Sequence, residues 1–219
     1  MKKLHIPYID ALNGVALSAA ATVMELRARR ESIDVLNWRE AFPYKPVVAF
    51  DIARGTEDLY IHYFVRGLSL RAVAGRDGEY VHPDSCVEFF MRRDGETDYI
   101  NFEFNCIGTC YAARHHTRTD ATPLTPDEFR SIRRHTTLPR AAFAEKKGIH
   151  AWELTVAIPF RLMGLDPLHL PERFFGNFYK CADETANPHY VTWNPIDLPQ
   201  PDYHCPAFFG ELRFMHDAR

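Results

Sequence analysis

"DSCVEFFMRRDGETDYINFEFNCIG", residues 84–108, decides the fold, because it reads as two strands joined by a turn. Apolar and polar residues alternate on both sides of Asp94-Gly95, a dipeptide that favours a tight hairpin. With a two-residue turn there, Arg93 faces Glu96, Val87 faces Phe102 and Phe89 faces Ile100. One face then carries Val87, Phe89, Met91, Ile100, Phe102 and Phe104, which is the composition of a core face. The other carries Cys86, Glu88, Phe90, Arg92, Tyr99, Asn101, Glu103 and Asn105. Side chains alternate with period two, so a two-residue slip leaves this division intact.

In that register Glu88 lies opposite Asn101 and diagonal to Glu103, with the glutamate β-carbons roughly 5–8 Å apart. The spacing overlaps that of glycosidase carboxylates. A catalytic pair, however, needs surroundings that drive the two pKa values apart. A row of carboxylates, amides and a guanidinium on an open face suits sugar hydroxyls, which both donate and accept. Three readings stay open here: a solvated sheet face, a polyol-binding floor, and a catalytic pair of Glu88 and Glu103.

Outward from the hairpin, strand-like runs recur at 47–53, 58–65, 68–73, 109–115, 151–159, 174–182 and 208–214, with "SIDVLNW" (32–38) before them. Gly, Asp or Asn punctuates nearly every gap, as in antiparallel hairpins. The 16 Phe and 10 Tyr among 219 residues suit pleated, half-buried surfaces. Two helices are expected. Residues 18–29 place Leu17, Ala20, Ala21 and Met24 on one face, with Ser18 as a cap. In "PLTPDEFRSIRR" (123–134), Thr125 or Asp127 starts a short helix with Pro126 in its first turn. The fold class is therefore all-β: an antiparallel β-sandwich, immunoglobulin- or jelly-roll-like, in one domain over 1–219. The span 183–207 is long and irregular, with Trp193, Tyr190 and Tyr203 in it, so a functional or packed loop is expected there.

A net charge of −3 and a pI near 6.4 give no reason to expect nucleic acid or an anionic membrane as partner. No run approaches the roughly 20 apolar residues of a membrane helix. The N-terminal "MKKLHIPYIDALNGVALSAAATVMEL" invites comparison with a secretory signal, but Pro7, Asp10 and Asn13 interrupt its apolar region. The five cysteines show no disulfide or zinc-ribbon spacing. Reduced thiols and a cytoplasmic location are expected, with a secreted or periplasmic one as the alternative. No cofactor motif is present, and no spaced Asp/Asn/Gly loop supports structural calcium. His189 and His204, with Asp183 and Glu184, form a candidate metal cluster in the long loop, although structural histidines account for them more simply.

The runs "FPYKPVVAFDIA", "LYIHYFV", "DSCVEFF", "YINFEFNCIG", "WELTVAIPF", "NFYKC", "TWNP" and "FFGELRF", in that order from about residue 33 to 214, carry a likeness. The chain resembles the carbohydrate-binding family-nine-like proteins, especially the single-domain versions of gut Bacteroidetes. The resemblance implies a β-sandwich that binds sugars, related to modules attached to xylanases. It also implies that such chains are named as hydrolases by association, and that two tryptophans enclose a terminal sugar. Here His82 stands where one tryptophan is expected, and Trp193 matches the other. Glu88 falls on the motif glutamate, a ligand contact in binding members, and Arg118 matches a recurring arginine, with a surface ion pair to Asp120 as its simpler reading.

The sugar contacts expected are thus His82, Asp84, Glu88, Asn105, Arg118, Asn177 and Trp193, for a carbohydrate partner bound without catalysis. Trp152, alternating with Leu154 and Val156, belongs to the core, and Trp38 to the sandwich's edge. The rival functions are a glycoside hydrolase using Glu88 and Glu103, and a protein-interaction module with no sugar ligand.

Overall fold

The computed structural model describes residues 1–215; the last four residues of the span 1–219 lie outside that description. In chain order the strands are β1 (Lys3–Ile6), β2 (Arg29–Ser32), β3 (Val35–Leu36), β4 (Val47–Arg54), β5 (Asp58–Ala72), β6 (Cys86–Arg93), β7 (Tyr99–Asn105), β8 (Cys110–His115), β9 (Ala121–Pro123), β10 (Arg133–Thr136), β11 (Phe143–Pro159), β12 (Arg173–Cys181), β13 (Tyr190–Thr192) and β14 (Gly210–Phe214). The helices are α1 (Leu17–Arg27) and α2 (Pro126–Ser131).

Two sheets form a β-sandwich. One runs β1-β14-β12-β6-β7-β8-β9, with β13 and β3 attached beside β12; the other runs β10-β11-β5-β4-β2. All pairings between strands are antiparallel except β1 with β14. The apolar face of the opening hairpin packs inward as expected. Val87, Phe89, Met91, Ile100, Phe102 and Phe104 join Phe50, Ile61, Tyr63, Leu154 and Val156 of the opposing sheet in one core. Phe178 of β12 sits at its centre, stacked on Phe50 at 4.0 Å and on Phe89 at 4.9 Å between ring centroids. Aromatic pairs at this spacing add to the hydrophobic gain of burial. Trp152 is in the same core.

Several details differ from the expectations. The hairpin register differs by two residues: Arg92 pairs with Tyr99, Val87 with Phe104 and Glu88 with Glu103, and residues 94–98 connect the two strands. The faces survive because the slip is even. The runs 58–65 and 68–73 are one strand, β5, which passes through Gly67 without stopping. A side chain at Gly67 would crowd the Tyr44 hydroxyl, which accepts from the Leu68 N–H at 2.7 Å. Helix α1 begins at Leu17 after an uncapped Ala16 and ends at Arg27, freeing residues 29–32 for β2. Its buried face includes Ala20 and Met24. Helix α2 has Thr125 as N-cap with Glu128 closing a capping box.

The long loop does not hang in solvent. Ile196, Tyr203 and Phe209 pack on Phe90, Tyr99 and Tyr179, which project from the outer face of the larger sheet, and Trp38 joins them. The Trp38 indole N–H donates to Leu198 O at 2.7 Å. Asn177 fixes the loop's second half: its amide accepts from Asn194 N–H at 2.8 Å and donates to Asn194 O at 3.0 Å. The outer face of β6, β7 and β12 is consequently a second interior, and the solvated-face reading is set aside.

Trp193 lies midway along this loop, directly after β13, and points into the main core, fully buried and edge-on to Phe178 at 5.7 Å. Gly210 is required beside it, because a Cβ there would overlap the indole ring. Trp193→Ala is therefore expected to cost about 3–5 kcal/mol in urea unfolding, as for other large core aromatics. A loss under about 1 kcal/mol, the range of surface changes, would contradict the core assignment.

Candidate functional site

The polar floor is built by three strands. Cys86, Glu88 and Phe90 project outward from β6, Asn101, Glu103 and Asn105 from β7, and Asn177, Tyr179 and Cys181 from β12. The register sets Glu88 between Glu103 on one side and Tyr179 on the other, and Cys86 between Asn105 and Cys181. Both glutamates are almost wholly buried, at 2% and 4% exposure.

Desolvation governs these carboxyls. Burial lifts Glu88 to about 7, while the Cys181 thiol donating to Oε1 at 3.0 Å pulls the other way. Burial also drives Glu103 well above the usual carboxylate range, and the neighbouring Glu88 charge adds to it. The Asn101 amide donates to Glu103 Oε1 at 2.7 Å, but Glu103 Oε2 is buried with no partner. No arginine or lysine among the described residues makes an ion pair with either glutamate.

A cavity of about 170 Å³ opens above them. His82, Arg118 and Phe90 line it from the strands and their connections, and Cys181 closes one side of the floor. The long loop contributes Asp183, Tyr190, Asp202 and His204. His82 Nδ1 lies 2.8 Å from Asp183 Oδ2, and that hydrogen bond raises the imidazole pKa. Asp183 Oδ1 is a second buried oxygen without a partner. Arg118 pairs with Asp202 at 2.6 Å rather than with Asp120. His204 sits 3.0 Å from the Tyr99 hydroxyl, and burial lowers it to about 4, so the ring is neutral at pH 7.

Of the seven expected sugar contacts, the fold brings His82, Glu88 and Arg118 around this cavity, together with Glu103 of the rival catalytic pair. It does not bring the other four. Trp193 is core and offers no face to a ligand. Asp84 is buried and consumed by structure, accepting from the Val73 and Ala74 amides, from Arg71 and from Asn105. Asn105 is spent on Ala74 O and on Thr109 N–H as well. Asn177 is the loop anchor described above. The cause is shared: each is adjacent to the site in sequence but turned toward a chain segment that must be tied down.

The loop-metal cluster is not assembled. His189 contacts the buried Lys180 ammonium at 2.9 Å, while His204 contacts Tyr99. Asp202, Tyr190 and His204 are the cavity residues that sequence reasoning missed as contacts. Their signal was membership of an aromatic-rich loop too long to be idle, and for His204 a place in the candidate metal cluster.

A larger depression of about 290 Å³ lies at the hairpin end, lined by Arg92, Arg93, Arg114 and His116 among others. Most of these groups are already paired, Arg93 with Glu96, Arg114 with Glu128 and His116 with Asp98, while Arg92 donates to the Glu96 carbonyl and lies over Phe175. The smaller cavity, with unpartnered buried oxygens, is the better candidate. Among the described residues no helix is long and apolar enough to cross a membrane.

The β-sandwich that carries this loop-walled polar cavity has counterparts among known proteins. The model of carbohydrate-binding family 9 matches residues 18–214, and the chain belongs to that family. It is similar, at 33% identity and a TM-score of 0.89, to a protein of Bacteroides uniformis ATCC 8492 to which carbohydrate binding is ascribed; the match covers 98% of this chain and 99% of that one. Two structures of a family 9 module from Caldicellulosiruptor kristjanssonii share the fold. The glucose complex matches at 11% identity and a TM-score of 0.64, covering 99% of this chain and 97% of that one. The cellotriose complex matches at 12% identity and 0.57, covering 99% and 95%. No curated protein matches the sequence.

The electrostatics make a pH prediction. A carboxyl whose folded pKa is raised above its ordinary value near 4.5 favours the folded state fully below that pH, and loses this contribution as pH rises toward 7. Histidines held low, such as His204, slope the other way over part of the same window, so a difference is needed. The Tm of Glu88→Gln, relative to that of the wild type, should rise between pH 4.5 and 7 and then level off. A flat difference would mean that Glu88 titrates normally.

Proposed function

We propose that this protein binds a carbohydrate, without turning it over, in the cavity above Glu88 and Glu103. One observation carries the reading: two buried carboxyl oxygens, Glu103 Oε2 and Asp183 Oδ1, have no hydrogen-bond partner among the described residues. Unpaired buried polar atoms are costly, and hydroxyl groups of a ligand would satisfy them. Glu103, held neutral, supplies a donor as well as an acceptor. His82, Asp183, Arg118 and Asp202 add polar groups of both kinds around the rim, a match for hydroxyls that donate and accept.

The apolar side of a sugar ring needs a flat surface, and tryptophan does not supply it here. Tyr190 on the loop and His82 are rings of the cavity lining, together with Phe90, Tyr203 and His204. Tyr80, exposed and 5.9 Å from His82 between centroids, extends the rim. A volume of about 170 Å³ is below the roughly 300–1,000 Å³ of drug-sized pockets, which fits one sugar ring with the rest of a chain outside. Family membership and the glucose and cellotriose complexes of the Caldicellulosiruptor module support the same partner class. The five free thiols support placing the protein in a reducing compartment such as the cytoplasm.

The facing glutamates keep hydrolysis as the specific alternative. Against it, burial lifts both, and no ion pair among the described residues holds either one ionised as the second carboxylate of that mechanism.

Saturation-transfer proton NMR with a panel of mono- and oligosaccharides, followed overnight, separates these readings. Transfer to a sugar with unchanged anomeric signals is the expected result. New anomeric signals that vanish in Glu88→Gln would replace the proposal with hydrolysis, and no transfer to any saccharide would refute it. For a sugar that binds, Glu103→Gln and Tyr190→Ala should each weaken the affinity roughly tenfold, equivalent to about 1.4 kcal/mol, measured by calorimetry. Unchanged affinity in both would move the site elsewhere.

A further inference from the structure

The floor of the cavity holds two cysteines on adjacent strands. Cys86 and Cys181 are direct partners in the β6–β12 register, so their side chains leave the sheet on the same face. Glu88, two residues along from Cys86, reaches between them. Its Oε1 lies 3.0 Å from Cys181 Sγ and 3.7 Å from Cys86 Sγ, and all three donor atoms lie within 4.8 Å of one another. All three residues are buried. Nothing in sugar binding requires two thiols at this point, and the account above uses neither as a ligand contact.

We propose that Cys86, Cys181 and Glu88 form a binding site for a divalent transition-metal ion of the zinc type, with its fourth position opening onto the cavity. The donor set decides the class. Two thiolates with a carboxylate suit a borderline-soft ion in tetrahedral geometry and are wrong for calcium, which takes oxygen ligands. The three donor atoms are close enough to share one ion. Metal–sulfur bonds of about 2.3 Å and metal–oxygen bonds of about 2.1 Å separate sulfur from oxygen by about 3.6 Å. The two sulfur–oxygen separations observed bracket that value.

Charge and access are also provided. Two thiolates and a carboxylate carry three negative charges, so a divalent ion leaves one uncompensated. The Lys180 amine, next to Cys181 in the chain and held by Cys181 O at 2.5 Å and His189 at 2.9 Å, is the nearby basic group that can offset it. Cys181 and Glu88 both line the cavity, which gives the ion an entry path and its fourth position a water or a ligand hydroxyl. Uptake releases the two thiol protons, and the Glu88 proton where it is bound, to solvent, so binding strengthens as pH rises.

The test uses the full chain and the metal alone, so it stands apart from any outcome with sugars. Cobalt(II) added to the reduced, metal-stripped protein should produce an intense near-ultraviolet sulfur-to-cobalt charge-transfer band that saturates at one ion per chain and is displaced by zinc. The band should be lost in Cys86→Ser and in Cys181→Ser. X-ray absorption fine structure of the zinc-loaded wild type, which does not depend on any variant folding, should show two sulfurs at about 2.3 Å per zinc. The absence of the cobalt band in the folded wild type would overturn the site. So would a band that persists in both variants, or a zinc shell without sulfur.

Discussion

Two glutamates stand opposite one another on neighbouring strands, out of water, and the rest of the molecule is arranged around that fact. Carboxyls in such a place cannot both be charged without large cost, because burial and mutual repulsion act together. The protein meets the constraint by holding protons on the pair, by placing thiol and amide donors against Glu88 and Glu103, and by leaving one oxygen facing a cavity. Sealing the pair requires a cover. The irregular chain from 183 to 207 supplies it, and the cover must in turn be fastened.

The fastening explains why so many polar residues near the site are structural. Asn177 locks Asn194, Trp38 ties Leu198, and Tyr203 donates to Lys180 O. Asp84 and Asn105 hold the segment that follows β5 against β7. Trp193, midway along the loop, is driven into the core beside Phe178 instead of standing over a ligand. A site of this kind is rigid in its floor and rests on the loop for its walls. Substitutions in the fasteners would act on stability first and on binding only through it.

The fold was legible because hydrophobic alternation is a property of each strand alone. Val87, Phe89, Phe102 and Phe104 face inward in either register, so the two-residue difference in the hairpin changed nothing structural. The short strands β1, β9, β10 and β13 were not legible, since three or four residues carry little periodicity and gain their identity from a partner. Much the same holds for the site. Glu88 and Glu103 could be placed on one polar face, but whether that face met water depended on a distant loop. Asp202, Tyr190 and His204 are brought to it only by tertiary packing, and Trp193 shows the reverse case, a motif residue whose surroundings assign it to the core.

The most direct test of the central claim is to watch the two carboxyl groups themselves. In protein labelled with carbon-13 at the glutamate side-chain carboxyls, the Glu88 and Glu103 signals, assigned with their Gln variants, should keep the shifts of protonated acids at pH values where exposed glutamates are ionised. On addition of a sugar that binds, those two signals should move while those of distant surface glutamates stay fixed. If both titrate near 4.5 and ignore the sugar, the buried pair is not the site and the account fails.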